Sequence, residues 1–246
     1  MASKHANAGA LIKRGLYDGL HSFTELEQRI SALGDENTKI VGDAFEVFVE
    51  GYLATHQKMQ AERVWLVGQV PLDIRQQMNL PNDTKGIDGI FQTRTGTLVP
   101  YQVKFRSQRA YLTYTELAPF LGLTERANDR IVFTNSNELA DDVKNRDAMR
   151  TVRGIDFDDL TEDDFRAIGG WLREQSVAIP KLTPLPYQIE ALTRISEALA
   201  NSDRAHVVMA CGTGKTLVAL WAAEALKPKT VLVLLPSLTL LQQTLE

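Results

Sequence analysis

Apolar residues recur at helical spacing through 38–54, at Val41, Phe45, Phe48, Val49 and Tyr52, and predict an amphipathic helix. Further along, the period changes. In Tyr101-Gln102-Val103-Lys104-Phe105 apolar and polar residues alternate, which predicts a half-buried strand with Gln102 and Lys104 on one face. A preceding strand at about 87–93 carries Asp88, and the turn between them decides what Asp88 meets. A two-residue loop at Thr95-Gly96 would pair position 88 with position 103, on the wrong face. A three-residue loop, Arg94-Thr95-Gly96 with Gly96 left-handed, pairs Asp88 with Gln102 and sets it diagonal to Lys104; this is the expected turn.

The same reading places a helix at 22–33 opened by a Ser22–Glu25 capping box, a helix at 115–127, and an apolar strand at 131–134. A helix at 138–149, a short strand at 152–157 and a helix at 161–175 follow. Three prolines in 176–186 block helix and strand alike and mark a linker. The expected organisation is a helical extension at 1–37, a first domain at 38–175, a linker at 176–185 and a second unit at 186–246.

Asp88, Gln102 and Lys104 are the polar set a metal-dependent phosphodiesterase needs. A carboxylate and an amide oxygen ligate a hard cation such as Mg²⁺, and a lysine beside them orients water and offsets transition-state charge. Gly86 and Gly89 flank the aspartate and admit a close approach of backbone or ligand. Glu46 and Glu50 lie one turn apart at the edge of the 38–54 stripe, and periodicity does not choose between them.

In this order and spacing, GDAFEVFVEGYL, GIDGI and YQVKFR resemble the Mrr-type branch of the PD-(D/E)XK nuclease superfamily, over roughly 38–160. The resemblance implies an α/β fold, a mixed sheet flanked by helices. It implies Asp88, Gln102, Lys104 and Glu46 as catalytic residues. Asp88, Gln102 and Glu46 would hold Mg²⁺, with Mn²⁺ able to substitute. Gln102 stands where most of the superfamily has a carboxylate, which leaves fewer charges for the metal. Arg106 and Arg109, just past the lysine, are candidate phosphate contacts.

A second block lies at 206–216, where HVVMACGTGKT reads as a strand running into a phosphate-binding loop and a helix. The strict G-x-x-x-x-G-K-[ST] pattern fails at Met209, and the sequence resembles the variant of superfamily 2 helicases. Leu185-Pro186-Tyr187-Gln188 resembles the adenine-reading segment of such motors, and 231–235 with Pro236-Ser237 resembles motif Ia, which touches DNA. The implied nucleotide site is Gln188, Gly212, Thr213, Gly214, Lys215 and Thr216, at the start of a RecA-like α/β lobe. The chain stops at Glu246 with no Asp-Glu pair and no second lobe after motif Ia, so ATP-driven activity is expected only of a longer polypeptide.

A net charge of −4 does not advertise nucleic-acid binding, although the acidic residues concentrate at 156–164, away from the candidate site, as solvated helix starts. The single Cys211 excludes internal disulfides and a cysteine zinc site. His5, His21, His56 and His206 are scattered and make no ligand cluster. Neither a signal peptide nor a membrane span is legible, which points to a bacterial or archaeal cytoplasm. Together the blocks predict the Mg²⁺-dependent endonuclease domain of an ATP-dependent restriction enzyme. It would act on double-stranded DNA beside downstream motor and methyltransferase or recognition domains. The isolated chain is expected to be a monomer, with pairing possible for double-strand cleavage. A repair or other phage-defence helicase–nuclease competes with this reading. So does a catalytically silent DNA-binding module, which Gln102 keeps open.

Overall fold

Five strands form one mixed sheet whose spatial order follows the chain: β1 (Ala61–Leu66), β2 (Gly89–Thr93), β3 (Leu98–Lys104), β4 (Arg130–Thr134) and β5 (Met149–Val152). The first three run antiparallel and the last three parallel. This computed structural model describes residues 3–35, 38–59, 61–81, 86–144, 146–175, 183–210 and 213–234. It divides into two units, Met1–Ile179 and Pro180–Glu246, and the sheet belongs to the first.

Helices cover both faces of that sheet. Strand alternation sends Phe91, Tyr101, Val103, Ile131 and Phe133 to one face, against α1 (Ala8–Lys13), α2 (Phe23–Ala32), α3 (Thr38–Thr55) and the C-terminal α8 (Glu162–Leu172). An aromatic cluster lies there, with Phe23 and Phe157 rings 4.8 Å apart and Phe45 and Phe48 beside them. Val132 turns to the other face with Leu117, Phe120 and Leu121 of α5 (Tyr114–Leu123) and Val143 of α6 (Asp141–Lys144). The parallel register pairs Gln102 with Val132 and Lys104 with Thr134, so both polar residues of β3 share that second face. Ile90 packs with Ile74 of α4 (Leu72–Gln77), and α7 (Gly154–Asp158) delivers Phe157 to the aromatic cluster.

The β2–β3 turn has three residues. Thr93 N–H donates to Thr97 O at 2.9 Å, Gly96 N–H donates to Thr93 O at 2.8 Å, and Gly96 has φ +86°. A Cβ at Gly96 would meet nothing within 4 Å, so Gly96→Ala is expected to cost only the left-handed backbone, about 1 kcal/mol by urea denaturation. The ladder ends at Gly89↔Tyr101, one residue short of the Asp88–Gln102 pair the sequence predicts.

Several expectations are corrected. The strand predicted from 87 begins at Gly89, because the Asp88 side chain rather than its backbone meets Val103. The helix predicted to 127 ends at Leu123, where Arg130 takes the Leu121 and Thr124 carbonyls at 3.2 and 3.1 Å. The helix predicted at 138–149 is the single turn of α6, and the strand predicted at 152–157 is β5 followed by α7. The parallel pairing Arg130↔Met149 fixes where β5 starts, and Ala148 at φ +56° turns the chain into it. At 22–33, Ser22 accepts the Glu25 N–H, but the Glu25 carboxylate accepts from His21 rather than closing the box on Ser22.

In the second unit α9 (Pro186–Asn201) packs on α10 (Lys215–Leu226). Pro186 opens α9 with its φ already helical. The run 206–210, predicted as a strand, and the run 231–234 carry no ladder among the described residues, and Val208, Leu232 and Leu234 are exposed. A parallel strand is defined by neighbours that take its N–H and C=O groups, and none pairs here. Among the described residues, no helix is long and apolar enough to cross a membrane.

Candidate functional site

Asp88 is held on three sides by backbone. Its N–H donates to Tyr101 O at 3.0 Å, its carbonyl accepts Val67 N–H at 2.9 Å, and its Oδ2 accepts Val103 N–H at 2.6 Å. The carboxyl is therefore aimed by β3 itself. Removal from water and then the negative field of Glu46 push its pKa up to about 7, against the opposing pull of the Val103 N–H, Lys104 and His5. Gly86, at φ +107°, lies against Pro119 and the Phe120 backbone; a Cβ at Gly89 would overlap the Tyr101 hydroxyl and the Trp65 carbonyl. These glycines serve close packing of protein around Asp88.

Because Asp88 binds its proton more tightly in the folded chain than at its ordinary 3.8, the native state holds the extra proton between about pH 4 and 7. Stability therefore falls as pH rises through that window and levels off above it. Asp88→Asn removes that slope. Relative to the variant, the wild type is expected to lose on the order of 1–2 kcal/mol between pH 5 and pH 8 by chemical denaturation. Equal pH slopes in the two proteins would refute the assignment.

The two glutamates of α3 have different neighbours. Glu46 is half-buried, and its charge acts on Asp88. Glu50 is buried and taken up by the amino-terminal residues, accepting Ser3 Oγ and Lys4 N–H. Gln102 is 2% exposed and its Oε1 has no hydrogen-bond partner among the described residues. Lys104 is half-buried, with no salt bridge among the described residues. No group of three or more His, Cys, Asp or Glu side chains among the described residues converges to hold a metal. The available donor set is instead two carboxylates and one amide oxygen.

His5 lies against α3: its Nε2 is 3.3 Å from Glu46 Oε2 and 3.8 Å from Asp43 Oδ1. About 40 positions separate it from Asp43 and Glu46, and nothing in the local sequence around it announces the contact.

Arg109, a candidate phosphate contact by sequence, is taken up by side chains of its own unit. Its guanidinium donates to both oxygens of Glu27 and both of Asp158, and lies 5.5 Å above the Phe23 ring. Asn135 Nδ2 also donates to Glu27, at 2.9 Å. Arg106 pairs with Glu116, and its backbone N–H donates to Asn135 Oδ1 at 2.6 Å. Of the acidic run at 156–164, Asp156 and Asp164 cap helix starts as predicted, while Asp158 belongs to this clamp.

In the second unit Gly214, at φ +74°, turns the chain into α10. Lys215 and Thr216 are exposed, and the Lys215 ammonium donates to Ala210 O at 2.9 Å and Met209 O at 3.3 Å. Gln188, predicted to read adenine, is buried and committed at both ends. Its Nε2 donates to Thr213 O at 2.9 Å and its Oε1 accepts Leu185 N–H at 2.8 Å. It braces the loop in this structure. Gly212 and Pro236-Ser237 lie outside the described residues.

Residues 181–246 match the family model described as the type III restriction enzyme, res subunit. A solved structure, the ATP-dependent Type ISP restriction-modification enzyme LlaBIII bound to DNA, resembles the chain with a TM-score of 0.59 over 89% of its length, at 21% identity. That likeness is one of fold, an α/β arrangement with a mixed sheet flanked by helices, and the chain spans 14% of that protein. No curated protein matches the chain by sequence.

Proposed function

We propose that the first unit is a divalent-cation-dependent DNA endonuclease domain of the Mrr-type PD-(D/E)XK kind. The second unit is, on this reading, the start of a helicase-type ATPase lobe, and both are parts of an ATP-dependent restriction enzyme. The observation that carries it is the desolvated Asp88 carboxyl, aimed by Val103 N–H and within the field of Glu46 and Lys104, with a partnerless Gln102 Oε1 on the β3 face that Lys104 shares. A buried acceptor without a donor, on the strand that aims a carboxyl whose proton affinity burial and the Glu46 charge raise, is what a cation would satisfy. Asp88, Glu46 and Gln102 fit Mg²⁺ through oxygen alone, the donor type that ion takes. When bound there, Mg²⁺ would supply Lewis-acid activation of a DNA phosphodiester.

The protein's own part is positional. Val103 N–H fixes the Asp88 carboxylate, β3 fixes Gln102 and Lys104 on one face, and α3 brings Glu46 across. Lys104 orients the attacking water and offsets charge gathering on the phosphate. The substrate is taken to be double-stranded DNA, since the LlaBIII enzyme is bound to DNA, with further domains of one polypeptide as partners. Lys215, Thr216 and the loop before them would take the phosphates of ATP and its Mg²⁺ once the rest of the lobe is present.

The test is nicking of supercoiled plasmid by the 246-residue chain with Mg²⁺ or Mn²⁺ and no ATP. Cleavage is expected with either ion, none with chelator, and none by Asp88→Asn. Metal-independent DNA binding without cleavage would instead favour a silent docking module, a reading kept by the amide at position 102.

A further inference from the structure

We propose that His5 is a positioning residue of this site, turning the Glu46 carboxylate toward Asp88 through its Nε2–H; the proposal rests on the nuclease reading above. Three contacts carry it. The Asn7 backbone N–H donates to His5 Nδ1 at 3.2 Å, which leaves the ring proton on Nε2. That nitrogen lies 3.3 Å from Glu46 Oε2, with the His5 side chain only 12% exposed. Asn7 Nδ2 donates to Asp43 Oδ2 at 2.6 Å, so the other neighbouring carboxylate is held by a donor of its own.

The segment before His5 is anchored independently. Ser3 Oγ and Lys4 N–H both donate to the buried Glu50, one turn along α3 from Glu46, and Gln69 Nε2 donates to Lys4 O at 3.2 Å. Glu50 thus holds the two residues before His5, Asn7 holds the ring at Nδ1, and its remaining donor has Glu46 to address. A histidine N–H on a ligating carboxylate fixes the direction of its lone pairs, and loss of such a support weakens cation binding without touching the ion. Glu46 on a helix edge has several rotamers open to solvent, and His5 selects among them.

The experiment is Mn²⁺ binding to the 246-residue chain, followed by electron paramagnetic resonance, for wild type, Asp88→Ala, His5→Ala and His5→Gln. Plasmid nicking at saturating Mn²⁺ and melting temperature are measured beside it. Expected results are loss of binding in Asp88→Ala and about 10-fold weaker binding in His5→Ala. In His5→Gln, whose amide N–H replaces the donor, affinity should return to within about 3-fold of wild type. The His5→Ala kcat should fall several-fold with KM for DNA unchanged. Wild-type affinity in His5→Ala beside a defective Asp88→Ala overturns the proposal and leaves the nuclease reading standing. So does a His5→Gln protein as weak as His5→Ala with the same fall in melting temperature, which makes His5 a structural anchor. Absence of any site-specific Mn²⁺ binding to wild type overturns the nuclease reading, and this one with it.

Discussion

Lys104→Ala is expected to slow plasmid nicking by about 10²–10³-fold while leaving DNA affinity and melting temperature nearly unchanged. The magnitude follows from removing one charged group aimed at charge that develops only in the transition state, about 3–4 kcal/mol of differential stabilisation. Lys104 is half-buried on the face it shares with Gln102, has no salt bridge among the described residues, and its charge reaches Asp88. A lysine so placed is not needed to hold the sheet together, which separates this prediction from unfolding. Asp88→Asn should be at least as damaging to cleavage, yet it should not destabilise the apo protein above pH 7, because it removes a carboxylate that burial and Glu46 make costly to ionise. A Lys104→Ala protein cutting within 10-fold of wild type would sink the assignment.

What the sequence revealed was whatever has a local cause. The stripe at Val41, Phe45, Phe48 and Val49 is a continuous helical pattern, and α3 spans Thr38–Thr55 as it requires. Gly96 admits the left-handed residue a three-residue loop needs, so the register of β2 on β3 was readable from that turn. The elements after β4 were not readable, since α6 is one turn long and β5 begins where parallel pairing to β4 puts it. β1 was missed because Glu62 and Arg63 face solvent on an edge strand and break its alternation.

The site divides along the same line. Residues of β3 and the turn were legible, but the difference between Glu46 and Glu50 is made by Ser3, Lys4 and His5, more than 40 positions away. Gln188 was assigned to the nucleotide site by its place before the loop. Only the fold shows its amide spent on Thr213 and Leu185. Charge without a visible partner reads as a ligand contact in sequence, and the partner of Arg109 is 82 residues upstream.

Arg109→Ala is accordingly expected to cost stability rather than DNA affinity, about 3 kcal/mol by urea denaturation. Its two acidic partners are unequal. Glu27 is 14% exposed in its side chain and Asp158 38%, so most of the loss comes from stranding Glu27, whose remaining partner is the Asn135 amide. Removing one member of a largely buried pair costs several kcal/mol because the survivor keeps its desolvation penalty without its counter-charge. Loss of the guanidinium over Phe23 adds a smaller term. Two further variants separate this from a general packing defect. Arg109→Lys should recover little, since an ammonium cannot fork to two carboxylates at once. Glu27→Gln in the Arg109→Ala background should recover 1 kcal/mol or about that, since the stranded charge is gone. DNA affinity, measured at one salt concentration for all variants, should stay within about 2-fold of wild type, because a guanidinium bound to two carboxylates belongs to a cluster of net negative charge that does not attract a phosphate. A protein that keeps its stability but binds DNA several-fold more weakly would return Arg109 to the DNA-binding face.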